Sequence, residues 1–245
     1  MDESTLLRTL EHGQVSLLGQ FTRSSNFTLL VECTADGESL RVLYKPARRQ
    51  QPLWDFVPET LPKRETAAWL LCQQLGWNFV PLTIYRIKGL PAGEGSLQLF
   101  VEHDPALHYF TLTASERETL QPLALFDLLA NNADRKGGHI LRDASGKLWA
   151  IDHALCFHAK PKLRTVVWDF AGQPLPEALL QALGALFAEL APGQLFLLEL
   201  GKYLSEAETN SLRRRCVKLL ADQHFPFPDE DRRAFPWPPV TWPPV

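Results

Sequence analysis

Short apolar runs broken by turn formers fill the first hundred positions. The runs at 15–21, 27–32 and 40–45 are separated by Ser24-Ser25-Asn26 and Ala35-Asp36-Gly37, residue types that close tight connections between strands. Three antiparallel strands are the simplest account. A connection bearing Pro46, Pro52, Pro58 and Pro62 follows, and it carries Trp54-Asp55-Phe56. The period then becomes helical over 62–75. Ala67, Leu70, Leu71 and Leu75 recur at that spacing, Pro62 suits a first turn, and Gly76 supplies a stop. Two more extended runs, 80–87 and 97–101, complete a predicted five-stranded sheet with one helix.

From Ser115 onward the pattern is mostly helical. Ser115-Glu116-Arg117-Glu118 has the form of a capping box and leads into the apolar stretch 123–129. Further helices are expected near 176–190 and 205–222, the second opened by Ser205 and Glu208. Before these two helices lie a polar, Gly-rich segment at 131–139 and an apolar run at 148–151. Asp143-Ala144-Ser145-Gly146 suits the hairpin turn that would join them. The chain therefore divides into a β-rich lobe at 1–102, a helical lobe at 103–225 and a tail at 226–245. The tail holds seven of the 19 prolines and two Trp-Pro-Pro-Val units, so it cannot be regular helix or central strand. It is expected to pack on the body as extended chain, the alternative being an aromatic-lined groove on a partner.

Composition narrows the class. With 245 residues, 45% hydrophobic and 22% charged, the chain reads as an ordinary soluble globular protein. A net charge of −3 and a pI near 6.2 give no overall case for a nucleic-acid partner or an anionic membrane. No apolar run reaches the roughly 18 residues that span a bilayer. The acidic start, Met1-Asp2-Glu3, lacks the pattern of a secretion signal. Cys33, Cys72, Cys156 and Cys216 are scattered, with no paired spacing, which suits free thiols in a reducing cytoplasm.

The chemistry concentrates in two carboxylates. Asp134 lies in the polar turn Asn131-Asn132-Ala133-Asp134-Arg135-Lys136-Gly137-Gly138-His139, and Asp152 closes the apolar run ending Ala150-Ile151. An unpaired charge at the end of an apolar strand is costly. A metal would relieve that cost, and His139 is a further candidate ligand. Lys45 ends the third predicted strand, and Glu65 lies in the predicted first turn of the next helix. Glu59 is a rival partner for Lys45.

Asp134-Arg135-Lys136-Gly137-Gly138-His139 followed by Ile151-Asp152 resembles the Asp-Arg-His-x-x-Asn and Ile-Asp-Phe-Gly motifs of atypical kinases related to phosphatidylinositol 3- and 4-kinases. Leu43-Tyr44-Lys45-Pro46, with Glu65-Thr66-Ala67-Ala68 running to Val80-Pro81, is similar to HipA-type protein kinases. The combined set resembles a bacterial family of phosphatidylinositol 3- and 4-kinase-like proteins over about residues 15–240. That resemblance implies a two-lobed, protein-kinase-like α+β fold that binds ATP with Mg2+ or Mn2+. Lys45 would contact the phosphates, Glu65 would orient Lys45, and the Ser24-Ser25-Asn26 turn would cover the phosphates. The stretch 97–102, Val101 included, would face the adenine edge. Asp134 would be the catalytic base and Asp152 the metal ligand.

Three positions depart from the pattern. His139 stands in place of the Asn ligand, Lys136 in place of the loop His, and His153 in place of the motif Phe. Imidazole suits Mn2+ better than Mg2+, and Lys136 could stabilise the transferred phosphate. The implied activity is ATP-dependent phosphotransfer to a hydroxyl of a protein or small metabolite. A nucleotide-binding pseudokinase and an AMP-transferring enzyme stay open as alternatives.

Overall fold

Alternating burial builds the N-terminal sheet. In the computed structural model, which describes residues 2–21, 27–50 and 52–240, a short helix α1 (Glu3–His12) precedes three strands, β1 (Gln14–Phe21), β2 (Thr28–Ala35) and β3 (Glu38–Pro46). Leu29, Val31 and Cys33 on β2 and Val42 and Tyr44 on β3 point into one core. On β3 that alternation leaves Lys45 on the opposite face from Tyr44. The helix α1 has no counterpart in the sequence reading. The Asp2 side chain caps it by accepting from the Thr5 N–H at 2.8 Å, and Leu10 is fully buried beneath the sheet.

Helix α2 (Leu61–Gln74) follows the proline-bearing connection, and β4 (Thr83–Arg86) and β5 (Gly95–Leu99) close the sheet. The order is β1-β2-β3-β5-β4, all neighbours antiparallel. The central strand is therefore β3, with Lys45 opposite Ser96 on β5. Because α2 starts at Leu61, Glu65 falls in its second turn rather than its first. It is buried, at 1% exposure, instead of serving as an exposed N-terminal acid.

The second half is helical around one small hairpin. Helices α3 (Ala114–Glu118) and α4 (Gln121–Ala130) lead to β6 (Ile140–Arg142) and β7 (Leu148–Ala150), then to α5 (Glu177–Glu189), α6 (Leu195–Leu200) and α7 (Glu206–Asp222). Two details differ from expectation. The cap of α3 is Thr113 with Glu116, not Ser115 with Glu118; Glu116 accepts from the Thr113 N–H at 2.8 Å and also pairs with Arg142. That ion pair to the hairpin holds the helix in the earlier frame. The short α6 was not anticipated either. The Ser205–Glu208 box does open α7, as expected.

Specific contacts tie the two halves together. The Phe79 carbonyl, just beyond α2, accepts from the Ala150 N–H at 2.8 Å. Arg64 on α2 pairs with Glu208 on α7 and donates to the Cys156 carbonyl at 2.6 Å. Phe56 and Leu61 pack on Ala133 and Ala154, so the connection before α2 wedges against the loops of the second half. All four cysteines are free and buried. Among the described residues, no helix is long and apolar enough to cross a membrane.

Candidate active site

Lys45, Glu65 and Asp152 come from three distant parts of the chain and meet between the sheet and the helices. Lys45 Nζ is ion-paired with Glu65 and lies 3.1 Å from Asp152 Oδ1. The exposed Glu59 takes no part. Glu65 also accepts from the His153 N–H at 2.9 Å, which links α2 to the loop carrying Asp152. Burial alone would lower the Lys45 pKa, but the charges of Asp152 and Glu65 hold it above its ordinary value. For Asp152 burial works the other way, and the pull of Lys45 and His139 brings its carboxyl well below the usual range. The site thus holds a cation and an ionised carboxylate in a sheltered place.

Asp152 adopts a left-handed backbone conformation, with φ of 59°. A non-glycine residue held there stores roughly 1–3 kcal/mol of strain. The surrounding contacts must over-determine that conformation, and Arg135 supplies one by donating to the Ile151 carbonyl at 2.7 Å.

Asp134 sits on the neighbouring loop. Its carboxylate lies 3.1 Å from Lys136 Nζ. Burial pushes its pKa up to about 6, only partly opposed by Lys136. A carboxylate near that value is ionised at neutral pH yet basic enough to take a hydroxyl proton.

His139 faces the other oxygen of Asp152, with Nε2 3.4 Å from Oδ2. Its Nδ1 accepts from the Lys136 N–H at 3.4 Å. Burial lowers its pKa to about 4, so the ring is neutral. With Nδ1 accepting, the ring proton sits on Nε2. The imidazole Nε2 thus stands beside Asp152 without a hydrogen bond to it, at the position where the sequence suggested a metal ligand. Among the described residues, no group of three or more His, Cys, Asp or Glu is gathered to hold a metal. Asp152 itself fits a divalent ion that takes its remaining ligands from phosphate and water, the usual habit of Mg2+.

The remaining expected positions divide. Val101 lies just beyond β5, and its carbonyl accepts from His103 Nδ1 at 2.8 Å. Residues 97–99 belong to β5, so the link between the halves begins only at Phe100. Ser24, Ser25 and Asn26 lie outside the described residues.

The sequence reading missed the support beneath this site. Asp127 and Arg135, both at 0% exposure, form a buried ion pair. Asp127 also accepts from the side chains of Asn132 at 3.0 Å and Thr165 at 3.0 Å. A lone acid inside the apolar run of α4 was the available signal. His153, fully buried against the Phe126 ring with centroids 5.5 Å apart, keeps the packing role of an aromatic. Both of its ring nitrogens lack a hydrogen-bond partner among the described residues.

No family model matches the chain. Protein Rv2133c of Mycobacterium tuberculosis is 38% identical over an alignment of 264 positions, which covers 94% of this chain and 93% of that protein. The chain belongs to the Rv2133c family. A shorter match links this Rv2133c-family member to phosphatidylinositol 4-kinase gamma 4 of Arabidopsis thaliana. There the identity is 38% over 73 residues, 28% of this chain and 13% of the plant protein. Among solved structures, hydra Fam20 with sugar superposes with a TM-score of 0.55 at 15% identity, covering 90% of this chain and 87% of that one. The Golgi casein kinase with Mn/ADP bound gives 0.55 at 13% identity, covering 89% and 74%. At such identities the likeness is one of fold. The Rv2133c-family chain has a two-lobed, kinase-like α+β fold.

Proposed function

We propose that this protein is an ATP-dependent phosphotransferase acting on an alcohol group. The observation that carries the reading is the Lys45–Glu65–Asp152 cluster with the elevated-pKa Asp134 on the adjoining loop. Phosphoryl transfer asks a protein mainly for positioning and charge neutralisation. Lys45, held by Glu65, binds the nucleotide phosphates. Asp134 takes the proton of the acceptor hydroxyl as the acceptor oxygen bonds to the γ-phosphorus. The bond from that phosphorus to the β–γ bridging oxygen breaks, and ADP leaves. Lys136 lies beside Asp134, where it can neutralise the transferred group. A divalent ion held by Asp152, Mg2+ or Mn2+, would spread the phosphate charge. His139 lies beside Asp152, and would join the ion's ligands only after its ring gives up the Lys136 N–H. Four unpaired, buried thiols suit a reducing cytoplasm. The kinship to HipA-type kinases rests on the motifs around Lys45 and Glu65.

The test is thermal unfolding with ATP and either metal, paired with transfer of labelled γ-phosphate. ATP at 100 times its Kd should add about 2.7 kcal/mol, a rise of roughly 5–10 °C for a chain of this size. No shift with either metal would end the nucleotide reading. A second reading, a nucleotide-binding pseudokinase, is favoured by His139, whose Nδ1 accepts the Lys136 N–H in place of binding a cation. It predicts a normal shift but no transfer by either the parent or Asp134→Asn.

A further inference from the structure

The segment that returns from Asp152 toward the helices is bonded on both sides. The Arg164 N–H donates to the Asn132 carbonyl at 2.8 Å, and the Arg164 carbonyl accepts from the Arg135 N–H at 2.9 Å. The Val166 N–H then donates to the Arg135 carbonyl at 3.1 Å. Asn132 and Arg135 flank Asp134, so the Arg164 backbone is pinned directly beside the proposed base. From the other side, the Ala234 carbonyl in the tail accepts from the Thr165 N–H at 3.1 Å and from Trp168 Nε1 at 3.2 Å. The buried Thr165 hydroxyl is tied to Asp127.

The side chain on this rigid rung is unpaired. Arg164 is part-exposed, and among the described residues its guanidinium makes no hydrogen bond or ion pair. The neighbouring cations are engaged: Lys136 with Asp134, Lys162 with Asp55, and Arg135 with Asp127. The Arg164 charge reaches Asp134, where it is one of the influences that oppose the burial-driven rise in pKa. A pre-positioned cation with nothing to bind, beside the atom that accepts the acceptor's proton, is placed for a group the acceptor brings.

We infer that Arg164 anchors the acceptor, binding an anionic group, a carboxylate or a phosphate, on the alcohol that Asp134 deprotonates. This deepens the phosphotransfer reading and rests on it. The planar guanidinium presents paired N–H donors that match two anionic oxygens. With its backbone already fixed, binding has only the Arg164 side chain left to order. The base and the anchor together would select hydroxy acids or phosphorylated alcohols over neutral alcohols.

The test uses the full chain saturated with ADP and Mg2+, so that Lys45 is occupied. Inorganic phosphate and malonate are titrated into the wild type, Arg164→Gln and Arg164→Lys. In parallel, labelled phosphate transfer is measured to glycerol against glycerol 3-phosphate, and to a neutral against an acidic serine peptide. Binding in the wild type that weakens about ten- to a hundredfold in Arg164→Gln, with partial rescue in Arg164→Lys, is expected. The anionic member of an acceptor pair should be preferred, with KM but not kcat rising in Arg164→Gln. Which pair shows the preference identifies a small metabolite or a protein segment as the carrier of the anion. Equal anion binding in the wild type and Arg164→Gln, with the ADP-induced stabilisation intact, overturns the role of Arg164 alone. Absence of that stabilisation in the wild type overturns the phosphotransfer reading and this inference with it.

Discussion

At the residue scale, the site departs from ordinary side-chain behaviour in two places that can be measured. Burial raises the Asp134 pKa to about 6, above the ordinary carboxylate range. As the proposed base, Asp134 works only when ionised, so transfer should rise with pH through about 6 and level off above it. Stability runs the other way. A carboxyl whose pKa is higher in the folded state favours folding when protonated, and that contribution fades as pH rises from about 4 through 6. Asp134→Asn should therefore lose about 100-fold or more in rate while melting at pH 7.5 no lower than the parent. Melting well below it would contradict the burial argument. His153 offers the reverse case. Its buried ring, beside Phe126, leaves two nitrogens without a hydrogen bond among the described residues, Nδ1 lying 3.9 Å from Glu65. Replacing it with Phe keeps an aromatic and removes the unsatisfied atoms, and should add about 1–2 kcal/mol, a rise of roughly 2–8 °C in calorimetry.

At the element scale, α4 and the loop after it act as one support through Asp127. This carboxylate receives Asn132, Arg135 and Thr165 at once, and Arg135 passes the constraint to the Asp152 loop through the Ile151 carbonyl. Asp127→Ala strands a buried guanidinium, so a loss of about 3–5 kcal/mol in urea unfolding is expected, together with a fall in kcat as the Asp134 loop loosens. A loss under about 1 kcal/mol would show the pair to be dispensable. The same helix marks the limit of reading from sequence. The apolar period around Asp127 was legible, since it is written within one turn of helix. Its partners were not, because nothing local announces that Thr165 will fold back onto it. Lys45, Glu65, Asp134 and Asp152 could be singled out for the opposite reason: each falls within a short motif that resembles one of an atypical kinase, and the fold brings Lys45, Glu65 and Asp152 together. The two unanticipated helices fit the same logic. In α1, Asp2 and the Leu6-Leu7-Leu10 spacing are visible only to a reader expecting a helix so early. In α6, the consecutive Leu195-Phe196-Leu197-Leu198 carries no period over its six residues.

Across the whole molecule, the tail is part of the active-site frame. Ala234 receives Thr165 and Trp168, and the Pro239 carbonyl accepts from the Gly137 N–H at 2.8 Å. Gly137 belongs to the Asp134 loop, and a Cβ there would lie 2.9 Å from the Phe110 ring and 3.3 Å from Val240. A side chain here would have to displace the Phe110 ring and would press on the tail at Val240. Pro236, Pro238 and Pro239 suit the task, since a chain that cannot form helix or join a sheet has little conformational freedom to lose when it lies along a loop. The second Trp-Pro-Pro-Val unit lies outside the described residues. Replacing residues 234–240 with a Gly-Ser linker should cost about 1–3 kcal/mol for the lost hydrogen bonds. Hydrogen exchange locates that loss. The Gly137 and Thr165 amides should lose protection, while the strand amides of β2 and β3 keep theirs. Unchanged protection at Gly137 would mean that the loop holds its shape without the tail. A tail that frames the loop should also leave its mark on catalysis, as a lower kcat with ATP-induced stabilisation preserved, because among the described residues its hydrogen bonds run to Gly137, Thr165 and Trp168 and not to the elements that carry Lys45 and Glu65.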